Sequence, residues 1–161
     1  MQSRTISLLL AALPSLIIVH NCFAVQDGAW QEDLRRCMIY KPIEGGRVVI
    51  ANNEGTLEID VQREGAADEG TDAQKYLVTF DNGLAVSTRP TNASAGIYDN
   101  ELGSYATIAP AFAKARSMTI SITGGNTAVQ AITVPVGNGQ KAMAFLKKCD
   151  EYWRRYQSKH R

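Results

Sequence analysis

The strongest periodic signal lies near the C-terminus, where Ala142, Phe145, Leu146, Cys149, Tyr152, Trp153 and Tyr156 recur at spacings of three and four. Such spacing gathers them on one face of an amphipathic α-helix. Asn138 is placed to cap its first turn, and Lys147, Lys148, Arg154 and Arg155 fall toward the end where the helix dipole favours positive charge. Phe145, Leu146 and Trp153 are expected to be buried beside Cys149.

Upstream the pattern changes to that of strands. Residues 47–51 and 56–62 flank the turn formers Asn52-Asn53-Glu54-Gly55, which predicts a β-hairpin. In its second arm Leu57, Ile59 and Val61 alternate with Glu58, Asp60 and Gln62, so one face should be wet. Residues 76–80 and 84–88 bracket Asp81-Asn82-Gly83, and residues 118–123 and 128–136 bracket Gly124-Gly125-Asn126-Thr127, giving two further hairpins. Residues 63–74 and 90–100 read as polar loops. Trp30 through Tyr40 fits either helix or strand, and a short helical turn leading into a strand is the expectation. Tyr105, Ile108, Phe112 and Ala115 have helical spacing, but Pro110 would break an early start, so a short helix is predicted after it. The sum is a β-rich α+β fold. It has six or seven mainly antiparallel strands in a sheet or sandwich, with the C-terminal helix packed across them.

The N-terminal segment stands apart from this pattern. Arg4 precedes an apolar run from Ile6 to Val19, interrupted by Ser7, Pro14 and Ser15 and too short to span a bilayer. Cys22-Phe23-Ala24 then offers small residues at both positions that a signal peptidase reads. Residues 1–24 are therefore expected to be a signal peptide and residues 25–161 a single exported domain, periplasmic or secreted. No basic stop-transfer cluster follows the run, and bulky His20 and Asn21 argue against a lipid-modified Cys22. No later run is long enough to cross a membrane, so no integral membrane segment is expected after cleavage.

Export changes the reading of the cysteines. Cys37 and Cys149 are the two that remain, and outside the cytosol a lone pair of thiols is expected to be oxidised to one disulfide. A bond from Cys149 would pin the C-terminal helix to the strands.

Charge divides the chain. Residues 140–161 hold seven Lys or Arg against Asp150 and Glu151, whereas residues 25–139 hold nine basic and fourteen acidic residues. Lys141, Lys148 and Arg155 recur at seven-residue intervals, and their ordinary reading is a solvated helix face; the alternative is a partner-binding face on an anionic surface. Nucleic acid is not an expected partner, since the basic residues sit on one helix and the remainder would repel phosphate.

Catalytic chemistry finds little support. Without His20 the sole histidine is His160, close to the C-terminus, so Ser-His-Asp and Cys-His mechanisms have no base. With no His cluster and both thiols oxidised, no zinc or copper site is expected, nor any other cofactor. Gly137-Asn138-Gly139-Gln140-Lys141 lacks the spacing of a phosphate-binding loop and reads as a strand-to-helix turn. Glu54, Asp99 and Glu101 are candidate carboxylates for glycoside hydrolysis, but nothing places two of them across a cleft. An enzyme is not expected. Asn92-Ala93-Ser94 matches a glycosylation acceptor pattern that matters only in a eukaryotic secretory route.

The signal peptide, the early Trp before Cys, the hairpin strands and the run Gly137-Asn138-Gly139-Gln140-Lys141-Ala142-Met143-Ala144-Phe145-Leu146 together resemble small exported proteins of the invasion-associated locus B family of α-proteobacteria. The chain differs in lacking that family's additional cysteines and in extending the last helix through Tyr152-Trp153-Arg154-Arg155-Tyr156. The resemblance implies an envelope or host-facing protein of β-rich fold with no catalytic residues to carry over. The expected function is a non-enzymatic binding or envelope-associated module whose partner is an unidentified protein or envelope component. The alternative is a periplasmic inhibitor or immunity protein presenting the acidic loop from Glu64 to Asp72 to a secreted enzyme.

Overall fold

In the computed structural model, which describes residues 28–64, 75–90, 100–123 and 130–160, the hairpins form where turn formers interrupt alternating strands. The elements run β1 (Gln31–Asp33), β2 (Met38–Ile43), β3 (Gly46–Asn53), β4 (Thr56–Arg63), β5 (Lys75–Phe80), β6 (Ala85–Ser87), β7 (Arg89–Pro90), β8 (Asn100–Ser104), α1 (Tyr105–Lys114), β9 (Ser117–Thr123), β10 (Gln130–Pro135) and α2 (Gly139–Lys159). One sheet has six strands in the order β1-β2-β3-β4-β8-β7 and the other four in the order β10-β9-β5-β6. Every neighbouring pair is antiparallel. The β-rich α+β architecture is thus as expected. The strands exceed the expected number because β1, β7 and β8 are short and mostly polar, and so carry almost no hydrophobic alternation.

The two sheets share one core. Ile39, Val48, Ile50, Leu57 and Ile59 come from the first; Val78, Phe80, Met118, Ile120, Ile132 and Val134 from the second; and Phe112 and Leu146 from the helices. Alternation is cleanest in β5, where Tyr76, Val78 and Phe80 are buried while Lys75, Leu77 and Thr79 are exposed. In β4 Leu57 and Ile59 are buried, but Glu58, Asp60 and Gln62 are half-buried, so this face is less wet than expected.

Three local expectations are corrected. Between Trp30 and Tyr40 a turn at 34–37 does lead into a strand, but it is the turn of a hairpin and not of a helix: β1 and β2 pair in the register Gln31↔Tyr40, with Cys37 in the left-handed region at φ 48°. Helix α1 starts before Pro110, which lies inside it. Pro110 and Ala106, whose carbonyl loses its helical donor, are both exposed, so water reaches the freed oxygen while buried Ile108 and Phe112 hold the helix to the core. Ser104 supplies its N-cap, its Oγ accepting from the Thr107 N–H at 3.3 Å.

The third correction concerns Asn138, which makes no side-chain cap on α2. Its Oδ1 instead accepts the backbone N–H of Trp30 at 3.0 Å. The turn before α2 is a close approach: Gly137 has φ 59°, and a Cβ on Gly139 would lie 2.8 Å from the Phe112 carbonyl oxygen.

Cys37 and Cys149 form the expected disulfide, with Cα atoms 5.5 Å apart across a sequence separation of 112. It ties the β1–β2 turn to the middle of α2. Among the described residues no helix is long and apolar enough to cross a membrane. The expected signal peptide at 1–24, the loop segment 65–74, the acceptor pattern at Asn92 and the turn at 124–127 lie outside the described residues.

Candidate functional site

Helix α2 has two halves of different character. In the first, Gly139, Ala142, Met143, Leu146, Cys149 and Asp150 are buried, and the Tyr105 hydroxyl donates to the Met143 carbonyl oxygen at 2.8 Å, joining α1 to α2. Burial, and then the nearby charge of Glu151, push the pKa of Tyr105 up. In the second half every residue from 151 to 160 is exposed. A helix of 21 residues is about 31 Å long at 1.5 Å per residue, and its exposed last nine residues, about 14 Å, extend past the buried first half.

The apolar face nonetheless continues along this projection. Tyr152 is 58% exposed, Tyr156 48% and Trp153 37%, which corrects the expectation that Trp153 is buried; Phe145 is half-buried. Their rings form a connected series: Tyr152 meets Trp153 edge to face at 5.8 Å, Trp153 meets Tyr156 at 5.7 Å, and Tyr156 meets His160 at 4.4 Å. The spacing that marks a helix cannot say where the surface beneath it stops. One signal was present: residues 151–160 contain no Leu, Ile, Val or Met, whereas the preceding turns contain Met143 and Leu146.

The three basic candidates are distributed along this helix rather than clustered. Lys141 lies at its beginning, largely exposed, with Nζ 3.8 Å from a Glu32 carboxylate oxygen. Lys148 and Arg155 are exposed and stand four and three residues from Tyr152, hence beside the ring series, and Lys159 continues their row at the end. Arg154 is engaged elsewhere. It donates to Asp150, a bond that raises its pKa above the ordinary arginine value, and its guanidinium lies against Gly55 in the β3–β4 turn.

Other regions offer less. An open depression of about 300 Å³ is lined by Gly46, Arg47, Gln62, Arg63 and Glu64. Its cations are turned to local partners: Arg47 Nε donates to Gln62 at 2.7 Å and lies over the Tyr40 ring, and Arg63 donates to Gln130. Of the candidate carboxylates, Glu54 sits in the β3–β4 turn at φ 51°, Glu101 pairs with Glu58 and Arg89 across the first sheet, and Asp99 lies outside the described residues. Neither Glu54 nor Glu101 lines the depression. Among the described residues no group of three or more His, Cys, Asp or Glu could hold a metal ion. Apart from Glu64, the acidic loop considered for an inhibitor lies outside the described residues.

Sequence reasoning did not single out Lys41, which occupies an inward strand position and is 1% exposed. Its ammonium donates to the Pro135 carbonyl oxygen and lies 5.8 Å from the centre of the Trp30 ring. It joins the first sheet to the second, and its long stem supplies apolar packing. The signal was faint: one lysine between Ile39 and Ile43 in an alternating strand.

No family model, curated protein or solved structure matches the chain.

Proposed function

We propose that the protein is a non-enzymatic, exported binding module of the cell envelope, and that its contact surface is the projecting second half of α2. The observation that carries this reading is the partly exposed series Tyr152, Trp153 and Tyr156, bordered by Lys148 and Arg155. Single exposed apolar residues are ordinary, but three connected aromatic rings on a projecting element are a recognition surface. Their presence alters the balance for the basic row, which beside a bare polar face would be simple solvation. The disulfide is in keeping with a compartment where thiols oxidise, and the resemblance noted in the sequence suits an envelope or host-facing place.

The test is sedimentation of the exported protein with the isolated envelope fraction of its host, comparing wild type with Tyr152→Gln, Trp153→Gln and Tyr156→Gln combined. Glutamine keeps helix propensity while removing the rings. Wild type should sediment with the envelope and the variant remain in solution at an unchanged thermal midpoint. Equal sedimentation of the two would overturn the assignment.

A further inference from the structure

We infer that the surface this tip engages is an anionic phospholipid bilayer, with Tyr152, Trp153 and Tyr156 at headgroup level and Lys148, Arg155 and Lys159 against the phosphates. This rests on the reading of the tip as the contact surface and names what it contacts.

The composition of the tip is the first argument. A groove on another protein takes a helix through anchors at i, i+3, i+4 and i+7, and a second copy of the helix would pair through a heptad seam. Such seams are mostly built from Leu, Ile, Val or Met, none of which occurs from Glu151 to His160. The apolar surface consists of Tyr and Trp, each an aromatic body with a polar handle, the side chains that collect at the boundary between lipid and water. Lys and Arg beside such rings complete an interfacial helix.

Charge supplies the second argument. From Lys148 to His160 the helix carries four Lys or Arg against Asp150 and Glu151, whereas residues 25–139 carry nine basic against fourteen acidic residues. An anionic leaflet therefore attracts this end of the helix and repels the body, so the helix rather than the body faces the leaflet. Of the two carboxylates, Asp150 is held by Arg154, and Glu151 stands three and four residues from Lys148 and Arg155, so it offsets part of their charge.

Rigidity is the third. Cys149 and Leu146 fix the root of α2 to the body, so the tip is presented already ordered and binding need not order it. Each basic side chain near an anionic leaflet strengthens binding on the order of fivefold, and three together on the order of a hundredfold.

The experiment is co-sedimentation with vesicles of phosphatidylglycerol mixed with phosphatidylcholine, and with vesicles of phosphatidylcholine alone. The protein is purified from the exporting cell so that all variants share one N-terminus. Wild type should bind the anionic vesicles, lose them at high salt, and ignore the zwitterionic ones. Lys148→Gln, Arg155→Gln and Lys159→Gln combined should weaken binding by tenfold to a hundredfold at an unchanged thermal midpoint, and Trp153 emission should move to the blue on binding. Wild-type binding that ignores phosphatidylglycerol, or is unchanged in the triple variant, overturns the lipid. If envelope sedimentation still depends on the rings, the tip then binds a protein or glycan and the module reading stands. If that dependence is also missing, the module reading fails with it.

Discussion

The backbone N–H of Trp30 donates to Oδ1 of Asn138 at 3.0 Å, a bond between residues 108 apart in sequence that fastens the start of the described fold to the entrance of α2. The Trp30 ring continues the link, packing on Phe112 at 5.4 Å. Asn138→Ala should leave this N–H without its acceptor and cost about 1–3 kcal/mol. Asn138→Asp keeps an acceptor next to a helix N-terminus and should cost little. Urea unfolding of the two variants measures both costs.

Deleting Leu146 and deleting Trp153 should have unequal consequences, although both lie on the periodic face of α2. Leu146 is 0% exposed, so Leu146→Ala should destabilise by about 2–5 kcal/mol. Trp153→Ala removes a ring that is 37% exposed and meets Tyr152 and Tyr156, and should cost less than Leu146→Ala, about 1–2 kcal/mol. Thermal midpoints read both.

The contrast marks what was legible in the sequence. Hairpins announced by Asn52-Asn53-Glu54-Gly55 and Asp81-Asn82-Gly83 could be read because turn formers and alternation are local, and β3–β4 and β5–β6 pair accordingly. The Cys37–Cys149 bond could be read because only one pairing was open. Pro110 within α1 could not, because burial of Ile108 and Phe112 outweighs a missing hydrogen bond at an exposed position. The site was half legible: Lys148 and Arg155 were visible as a row, but whether Tyr152, Trp153 and Tyr156 face a core or open space depends on where the body ends. That is a tertiary fact.

The disulfide closes a sequence separation of 112, for which the chain-entropy model gives a ceiling of roughly 4.7 kcal/mol. Cys149→Ala should therefore lower unfolding stability by about 2–5 kcal/mol. Adding Cys37→Ala should change little more, since the constraint is already lost. Alkylation of the unfolded, unreduced wild type should label neither thiol.

Alkali should act through Tyr105. Its pKa lies above the ordinary tyrosine value, from burial first and Glu151 second, so the folded state holds this proton more tightly than the unfolded chain does. Stability from this group is intact below the unfolded value of about 10 and falls as pH rises from there toward the folded value. Tyr105→Phe should remove that part of the alkaline fall, as measured by urea midpoints across the window, while losing the bond to Met143 at every pH.

The central claim is that the tip of α2 is what the protein presents to the envelope, and Trp153 is a reporter within it. The chain has two tryptophans, and Trp30 is buried at 3% exposure, so acrylamide should quench chiefly Trp153. Quenching measured as the difference between wild type and Trp153→Phe, before and after addition of host envelope membranes, tests the claim most directly. Trp153 should become shielded in the sedimenting protein. Protein that sediments with the envelope while Trp153 stays as quenchable as in free solution would contradict it.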